Sequence, residues 1–454
     1  MDEKNLELNS KFSGTLTNCY DSHVHWQATG TYHRRLPQYT HQGEWITGFG
    51  WDQPTVNEIS SREVGATPPD KTPHEILDRE FGDHPVFFVR IDGHAAWVNQ
   101  AALARAGLWQ KNPVAPLGGE IQLKSDGYPT GILLDQAMQI VQRLLPPRTE
   151  SQIRDDLLLA QEIFHKSGFT HIRDLSGDEV QWQVINGLLR ENKIKLAVEQ
   201  FFEAEDPNLF DRQLDLATRL QRDFADFADS RTQLVRPRGV KIYLDGALGS
   251  EGALLSCDYC NGRPGARGLQ MLNESTLRDF ISRAWSARLP IAVHAIGDAA
   301  NHLLAQTAFA IESSGLKGEL NIEHAELLRY DTILLLSKLS NVKCYMQPCQ
   351  WLTDKKWLET KIGPLVQRVF RWRELEEHNI PIWFGSDTPI EEPSFIANLA
   401  AIEDGARNGD IPRPKRNVSF YQMHPDSGWV RNTSTVFTNG HVSAVHFCGH
   451  EILL

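Results

Sequence analysis

Eight short apolar segments separated by helical patterns constrain the fold of this chain more than any other feature. Each is a nearly continuous apolar run, which is typical of parallel strands covered on both faces. The predicted strands are 16–25, 169–175, 194–202, 239–244, 290–295, 320–324, 342–346 and 381–385. Helices are predicted between them, for example at 151–167, 209–227, 274–288 and 298–312. This alternation predicts βαβ units, and the number of strands favours closure into a (β/α)8 TIM barrel, an α/β fold.

The first two predicted strands are separated by a long segment, residues 26–147, that is rich in glycine, proline, histidine and tryptophan. A structureless loop of that length is improbable in a compact domain. We therefore predict an inserted subdomain over the active site, with a separate domain facing elsewhere as the alternative. The remaining divisions are an N-terminal segment with the first barrel strand (1–25), the rest of the barrel (148–413) and a C-terminal tail (414–454).

Composition and charge narrow the range of partners. The 454 residues carry a formal net charge of −12, which argues against a nucleic-acid binder because such proteins usually have a basic face. The polar, acidic start and the lack of long apolar runs predict neither a secretory signal nor a membrane span. Six scattered cysteines suit a reducing cytoplasm. Cys257 and Cys260 form an isolated C-x₂-C pair, for which a structural or incidental role is expected.

Residues that can bind metal ions occur at the ends of the predicted strands. His23 and His25, in the sequence DSHVH, lie on the same face of the first strand, because alternate residues of a strand point the same way. The others are Lys241, His294, His324 and Asp387. Barrel enzymes build their active sites at the carboxyl ends of their strands. An H-x-H pair alone is a weak motif, but the combined set predicts a metal centre.

Several motifs between residues 21 and 393 resemble those of a known family. They are DSHVH, RIDGHAAWVN, GVKIYLDGALGS, VHAIGDAAN, NIEHAEL, MQP and GSDTP. They resemble the amidohydrolase superfamily, and in particular the branch typified by N-substituted formamide deformylase. A long insertion after the first barrel strand is also a trait of that branch.

The resemblance implies a ligand set. His23, His25 and Asp387 would bind the more buried ion, and His294 and His324 the second. Carboxylation by CO₂ would convert Lys241 into a carbamate that bridges the two ions. The ions would be zinc or another divalent transition metal such as manganese, iron or nickel. If Lys241 is an unmodified amine, it could pair with Asp245 and the site could hold one ion.

The resemblance also implies a reaction. A metal-activated hydroxide would hydrolyse an amide-like C–N bond other than a peptide bond, in an N-formyl or N-acyl amine or a cyclic amide. Asp387 would orient the water, accept its proton and pass it to the leaving nitrogen, while the ion on His294 and His324 would polarise the carbonyl. A hydrolytic deaminase, a lactonase and a catalytically silent scaffold are the alternatives. The expected partner is a small-molecule substrate.

Weaker candidates for substrate binding are His94, Arg90, Trp51, Trp97 and Gln347. The alternative is structural. Arg90 could form an ion pair with Asp92, His94 could cap a helix, and the tryptophans could form a small core of their own.

The termini depart from the family pattern. Members usually begin with several strands of a β-sandwich and return to it at the end, whereas about fifteen residues precede the first predicted strand here. The sequence after residue 433 predicts a hairpin with Asn439-Gly440 as its turn. We therefore expect a reduced β-sandwich remnant at the termini, which puts the usual dimer contacts in doubt but leaves a homodimer possible.

Overall fold

A computed structural model describes residues 13–17, 19–33, 44–52, 73–226, 234–262, 264–416, 430, 433–439 and 441–452. The strands in chain order are β1 Gly14–Thr17, β2 Tyr20–Val24, β3 Ile46–Trp51, β4 Val86–Arg90, β5 Ala95–Val98, β6 Gly119–Leu123, β7 Pro129–Asp135, β8 His171–Gly177, β9 Ala197–Glu203, β10 Val235–Tyr243, β11 Ile291–Ala295, β12 Leu320–His324, β13 Val342–Met346, β14 Ile382–Phe384, β15 Ser434–Thr438, β16 His441–Phe447 and β17 His450–Ile452.

The α-helices are α1 Trp26–His33, α2 Pro73–Phe81, α3 Gln100–Arg105, α4 Met138–Gln142, α5 Glu150–Lys166, α6 Glu179–Arg190, α7 Phe210–Asp226, α8 Glu274–Ser286, α9 Asp298–Ser313, α10 Tyr330–Leu336, α11 Gln350–Asp354, α12 Leu358–Ile362, α13 Trp372–Glu377 and α14 Phe395–Asn408. Short 3₁₀ helices lie at Pro207–Leu209 and Gly363–Arg368. Within the described part of the chain, no helix is both long enough and apolar enough to span a bilayer.

Eight parallel strands form the barrel, in the order β14-β13-β12-β11-β10-β9-β8-β2. The circle closes between its first and last strands, where Val24 bridges Thr388 and the backbone N–H of His25 donates to the Thr388 carbonyl at 3.0 Å. Strands such as β11 and β12 are buried at every position, because the barrel interior covers one face and the helices cover the other. The predicted TIM-barrel fold is confirmed, and all eight predicted strand segments contribute a barrel strand.

Helix α5 illustrates how local sequence sets the connections. Thr149 caps its first turn: the hydroxyl accepts from the backbone of Gln152, whose side chain accepts from the backbone of Thr149. Ile153, Leu157, Ala160 and Phe164 lie on one face at helical spacing and are buried. The helix therefore begins where the capping signal stands and packs its apolar stripe against the barrel.

The segment between β2 and β8 contains a second sheet of five strands, in the order β3-β4-β5-β7-β6. Two apolar clusters of its own stabilise it, one around Leu103, Leu133 and Val141 and the other around Trp97 and Ile132. This sheet supplies the regular structure expected within residues 26–147; the treatment of that interval as a separate subdomain stays a prediction.

A small four-stranded sheet joins the two ends of the chain, in the order β1-β15-β16-β17. The first predicted strand, 16–25, is therefore wrong as a single element: its start pairs with β15, while Tyr20–Val24 pairs with β8. The C-terminal hairpin is present and carries a further strand, β17, after the left-handed pair Cys448 (φ 52°) and Gly449 (φ 82°). Gly440 of the predicted turn lies outside the described residues.

Candidate metal centre

The six predicted ligand residues converge at the carboxyl end of the barrel. His23 lies in β2 and His25 directly follows it, Lys241 lies in β10, and His294 and His324 lie in or at the end of β11 and β12. Asp387 follows β14 by three residues. All six line one cavity. The sequence thus placed each residue at a strand end, and barrel closure brings these distant positions together.

His23, His25 and Asp387 form the tightest group. Asp387 Oδ1 lies 3.1 Å from His23 Nε2 and 3.5 Å from His25 Nε2. One ligand atom from each residue lies within 4.8 Å of the others. His23 Nε2 is buried and makes no hydrogen bond within the described residues. Two imidazole nitrogens and a carboxylate oxygen at this spacing fit a divalent transition-metal ion.

Glu323 fixes the orientation of His23. The His23 Nδ1–H donates to Glu323 Oε2 at 2.8 Å, which turns Nε2 towards Asp387. Arg173 in turn binds Glu323, with 3.0 and 2.9 Å between their nitrogen and oxygen atoms. Although burial raises the pKa of Glu323, Arg173 and His23 lower it to about 2, so the carboxylate is ionised. A buried charge network therefore holds one ring nitrogen ready for an ion.

His294 and His324 form a second pair of nitrogen ligands. Their ring centroids lie 4.5 Å apart. His294 Nε2–H donates to the Gly246 carbonyl at 3.3 Å, and His324 Nδ1–H donates to Gln347 Oε1 at 2.9 Å, so each ring keeps one nitrogen uncommitted. Burial lowers the pKa of His324 to about 3 and that of His294 well below its ordinary value. Both imidazoles are therefore neutral, which is the form that binds metal.

Lys241 lines the same cavity and is 1% exposed. Its Nζ is 4.1 Å from the centroid of the Tyr243 ring, and no carboxylate lies within ion-pair distance among the described residues. Burial lowers the pKa of Lys241, which favours the neutral amine. Asp245, the alternative partner, instead accepts backbone N–H groups from Leu254, Ile296 and Gly297.

The backbone is strained at two of the ligand positions. His324 and Asp387 have φ values of 69° and 64°, in the left-handed region that non-glycine residues rarely adopt. Asp387 is held there because its N–H donates to the His23 carbonyl at 2.9 Å. The preceding residue, Ser386, donates through its N–H and hydroxyl to the buried Asp21 carboxylate at 2.9 and 2.6 Å. These contacts turn the Asp387 side chain towards β2.

The cavity has a volume of about 780 Å³. Its floor consists of the metal-ligand candidates and their barrel neighbours. The walls come from the segment between β2 and β8 and include Trp45, Phe49, Phe87, Val89, His94, Asp135, Met138 and Arg148. Residues of this segment therefore line the cavity, while its assignment as a subdomain over the active site stays a prediction.

The weaker candidates divide into two groups. His94 lines the cavity, and its Nδ1 lies 2.6 Å from Asp135 Oδ1; although burial lowers the pKa of His94, this hydrogen bond raises it to about 9. The other four are engaged with protein groups. Arg90 pairs with Asp92, Trp51 and Trp97 donate to the carbonyls of Phe88 and Pro73, and Gln347 accepts from His324. The rings of Trp51 and Trp97 pack edge to face with 5.9 Å between their centroids, so the alternative of a small core describes these tryptophans better.

Sequence reasoning missed Glu323, Arg173 and Asp135. Each is a charged residue within a strand that is buried at nearly every position, in NIEH, HIRDL and GILLD. A charge in such a strand is costly unless it is paired, and that cost is the signal that could have identified them. Their partners lie far away in sequence, so only the folded chain identifies them.

Comparison with known proteins agrees with this geometry. A family model described as the amidohydrolase family matches residues 12–424. The chain is 30% identical over 373 residues to the putative amidohydrolase YtcJ of Bacillus subtilis (strain 168), covering 80% of this chain and 64% of that protein. It is 24% identical over 292 residues to N-substituted formamide deformylase of Arthrobacter pascens, covering 62% and 50%. The chain thus spans less than two thirds of the length of these relatives.

A solved structure supports the same assignment. The crystal structure of an uncharacterized metal-dependent hydrolase from Pyrococcus horikoshii OT3 matches with a TM-score of 0.63 and 26% identity, covering 88% of this chain and 76% of that one. The fold and the strand-end residues define a barrel of the amidohydrolase type. The chain belongs to the amidohydrolase family, as the match over most of its length shows.

Proposed function

We propose that the chain is a metal-dependent hydrolase that cleaves an amide-like C–N bond, in an N-formyl or N-acyl amine or a cyclic amide. One observation carries the proposal: the buried His23 Nε2, without a hydrogen bond among described residues, lies with His25 and Asp387 at the floor of a large cavity. Family membership and the names of YtcJ and the formamide deformylase support hydrolysis.

Six residues would hold the ions, of which zinc is the first candidate. His23, His25 and Asp387 would bind the first ion, and His294 and His324 the second. Lys241 would bridge them as a carbamate. Two facts support the carbamate: the amine is buried, and the described residues offer no carboxylate within ion-pair distance. A carbamate would be compensated by the two ions, whereas an unmodified ammonium would stand beside them unpaired.

Divalent ions bound here would lower the pKa of a water molecule and polarise a carbonyl group. Asp387 presents its two oxygens differently: Oδ1 faces His23 and His25, and Oδ2 lies 3.3 Å from Gln350 Nε2. Although burial raises the pKa of Asp387, the neighbouring histidines lower it well below its ordinary value. The low pKa keeps Asp387 ionised, and Oδ2, the oxygen that does not face His23 and His25, would be the one to accept a proton from water and pass it to the leaving nitrogen.

The cavity walls indicate how a substrate would lie. Apolar side chains such as Phe49, Val89 and Met138 suit the hydrocarbon part of an amine or acyl group. His94 is the candidate for a polar contact to the substrate, because its ring lies 4.8 Å from that of His294.

The direct test is hydrolysis by protein purified without chelator. We expect bound zinc or a similar ion, and cleavage within a panel of N-formyl amines, acylated amino acids, cyclic amides and lactones. Cleavage of lactones alone would reassign the bond type. If no transition metal is bound and added zinc produces no hydrolysis, the proposal is wrong.

Substitution of Asp387 separates an enzyme from a silent scaffold. Asp387→Asn removes the base while keeping the shape, and we expect kcat to fall about 10²–10⁴-fold with the fold retained. Asp404→Asn is the control, because Asp404 pairs with Lys355 away from the cavity and should leave kcat unchanged. Equal rates for both variants would contradict the role of Asp387.

A further inference from the structure

The segment between β2 and β8 places a histidine–aspartate pair beside the candidate metal centre. His94 Nδ1 lies 2.6 Å from Asp135 Oδ1, and an ionised carboxylate can only accept, so Nδ1–H donates. The backbone reinforces the pair: the Asp135 N–H donates to the His94 carbonyl at 3.1 Å, and the His94 N–H donates to Asp92 Oδ1 at 3.1 Å. The His94 ring is thus held by Asp135, and its backbone is held by Asp92 and Asp135.

Asp135 belongs to the inserted sheet but also packs against the barrel. It ends β7 with φ 48°, and its side chain is fully buried. A Cβ on Gly246 or Gly252 would come within 2.4 or 2.5 Å of Asp135 Oδ2. These two glycines follow β10, the strand that carries Lys241. Because these glycines have no side chains, the Asp135 carboxylate has room beside the loop after β10. Asp135 therefore lies where the inserted sheet meets the barrel sheet.

The free edge of the His94 ring faces the cavity. Its centroid lies 4.8 Å from that of His294 and 6.3 Å from that of Tyr243, and His94 lines the cavity. With Nδ1 committed to Asp135, Nε2 has no hydrogen-bond partner among the described residues. A carbonyl group held beside His294 would therefore meet Nε2.

We propose that Asp135 is a positioning residue, which acts through His94 to hold the carbonyl group of an amide-like substrate beside His294. This inference rests on the proposed function for the class of ligand. It assigns a role to a residue that no motif suggested, and it makes the inserted sheet part of the reacting site and not only its cover.

A double-mutant cycle on the zinc-loaded protein tests the proposal, with acetohydroxamate as a carbonyl probe whose binding is measured by calorimetry. We expect Asp135→Ala and His94→Gln each to weaken binding at least tenfold. The double variant should bind no more weakly than His94→Gln alone, because Asp135 acts through that ring. Zinc content should stay at the wild-type level in all three.

The matched control is a second histidine–aspartate pair in the same sheet region. His74 Nδ1 lies 2.8 Å from Asp78 Oδ2, and neither residue lines the cavity. Asp78→Ala should leave acetohydroxamate binding unchanged. Asp135→Asn, which keeps an oxygen acceptor, should retain more binding than Asp135→Ala. Asp135→Leu, which keeps a similar size without an acceptor, should bind as weakly as Asp135→Ala, whereas a role in packing alone would let it bind as well as Asp135→Asn.

The inference would be overturned by independent losses that add in the double variant, by unchanged binding in both single variants, or by no binding by the wild-type protein. Loss of zinc in His94→Gln would also overturn it, because His94 would then be a metal ligand. Binding does not require turnover. If binding weakens in the variants as expected but no panel compound is hydrolysed, only the proposed function is contradicted. If a panel compound is hydrolysed but the variants bind acetohydroxamate as the wild type does, only this inference is contradicted.

Discussion

At the scale of single residues, the chemistry depends on which nitrogen or oxygen atom each side chain presents. The sequence identified His23 as a ligand candidate, but Glu323 decides that its Nε2, not its Nδ1, faces Asp387. The same holds for His324, whose Nδ1 is taken by Gln347. Partners of this kind fix the orientation of candidate ligands, and in metal sites their loss typically costs about 10–100-fold in affinity.

We expect Glu323→Gln to weaken metal binding about 10–100-fold, because His23 loses the carboxylate that orients it. It should also lower stability by about 3–5 kcal/mol at pH 7, since Arg173 would remain as an uncompensated buried charge. The folded pKa of about 2 lies below the ordinary 4.5, so the stabilisation is full above pH 4.5 and is lost as the pH falls through 2. Metal titration and denaturant unfolding at several pH values measure both effects.

The control for that variant is Glu319→Gln. Glu319 directly precedes the same strand and pairs with Lys343 at 2.8 Å, away from the cavity. Equal losses of metal affinity in both variants would contradict the orienting role of Glu323.

We expect Lys241→Met to reduce the metal content from two ions per chain to one, because methionine cannot form the bridging carbamate. The apolar side chain suits the buried position, so the fold should be retained. Metal analysis after gel filtration measures the content. Lys343→Met, at a lysine that pairs with Glu319, should keep two ions. Two ions retained in Lys241→Met would show that the lysine is not a bridging ligand.

At the scale of elements, most barrel strands and several helices could be predicted from the sequence, because apolar runs and capping residues are local features. All eight barrel segments were found, and α8 and α9 begin at the residues predicted. The first strand was misjudged, since one continuous run serves two sheets and only the partners β15 and β8 show where it breaks. The individual strands of the inserted sheet were not predicted, because they are short and interrupted by glycine, proline or charged residues, as in ITGFGW, GEIQL and PTGILLD.

The contact between the inserted sheet and the barrel gives a prediction of its own. Gly246→Ala would place a Cβ 2.4 Å from Asp135 Oδ2, and the resulting shift should lower stability by about 1–3 kcal/mol and reduce turnover. Gly187→Ala is the control: it lies in α6 with no atom within 4 Å of the added Cβ, so it should be neutral or slightly stabilising. Thermal unfolding measures the change in stability of both variants. Equal changes in Gly246→Ala and Gly187→Ala would contradict a tight junction at Gly246.

At the scale of the whole molecule, the candidate centre unites residues from position 23 to position 387. Its candidate ligands come from five strand ends: β10, β11 and β12 are neighbours in the sheet, and barrel closure brings β2 beside β14. Ions bound there would therefore connect the first and last strands of the barrel as well as support chemistry.

We expect chelation to lower the melting temperature and zinc to restore it. Ligand binding to the folded state adds about 4 kcal/mol when free metal exceeds its Kd a thousandfold. Magnesium is the control, because it prefers an all-oxygen octahedral shell and should restore little. A melting temperature that is insensitive to chelator and zinc would contradict a metal centre that links the strands.

The sequence by itself determined the barrel, the positions of its strands and the residue types at their ends, because burial on both faces and strand periodicity leave a local record. Tertiary structure alone decided which of those residues meet, that Glu323 and Arg173 support His23, and that Asp135 reaches His94 and the loop after β10. The physical reason is distance along the chain. A hydrogen bond between residues 300 positions apart leaves no local pattern beyond an unexplained charge in an apolar strand.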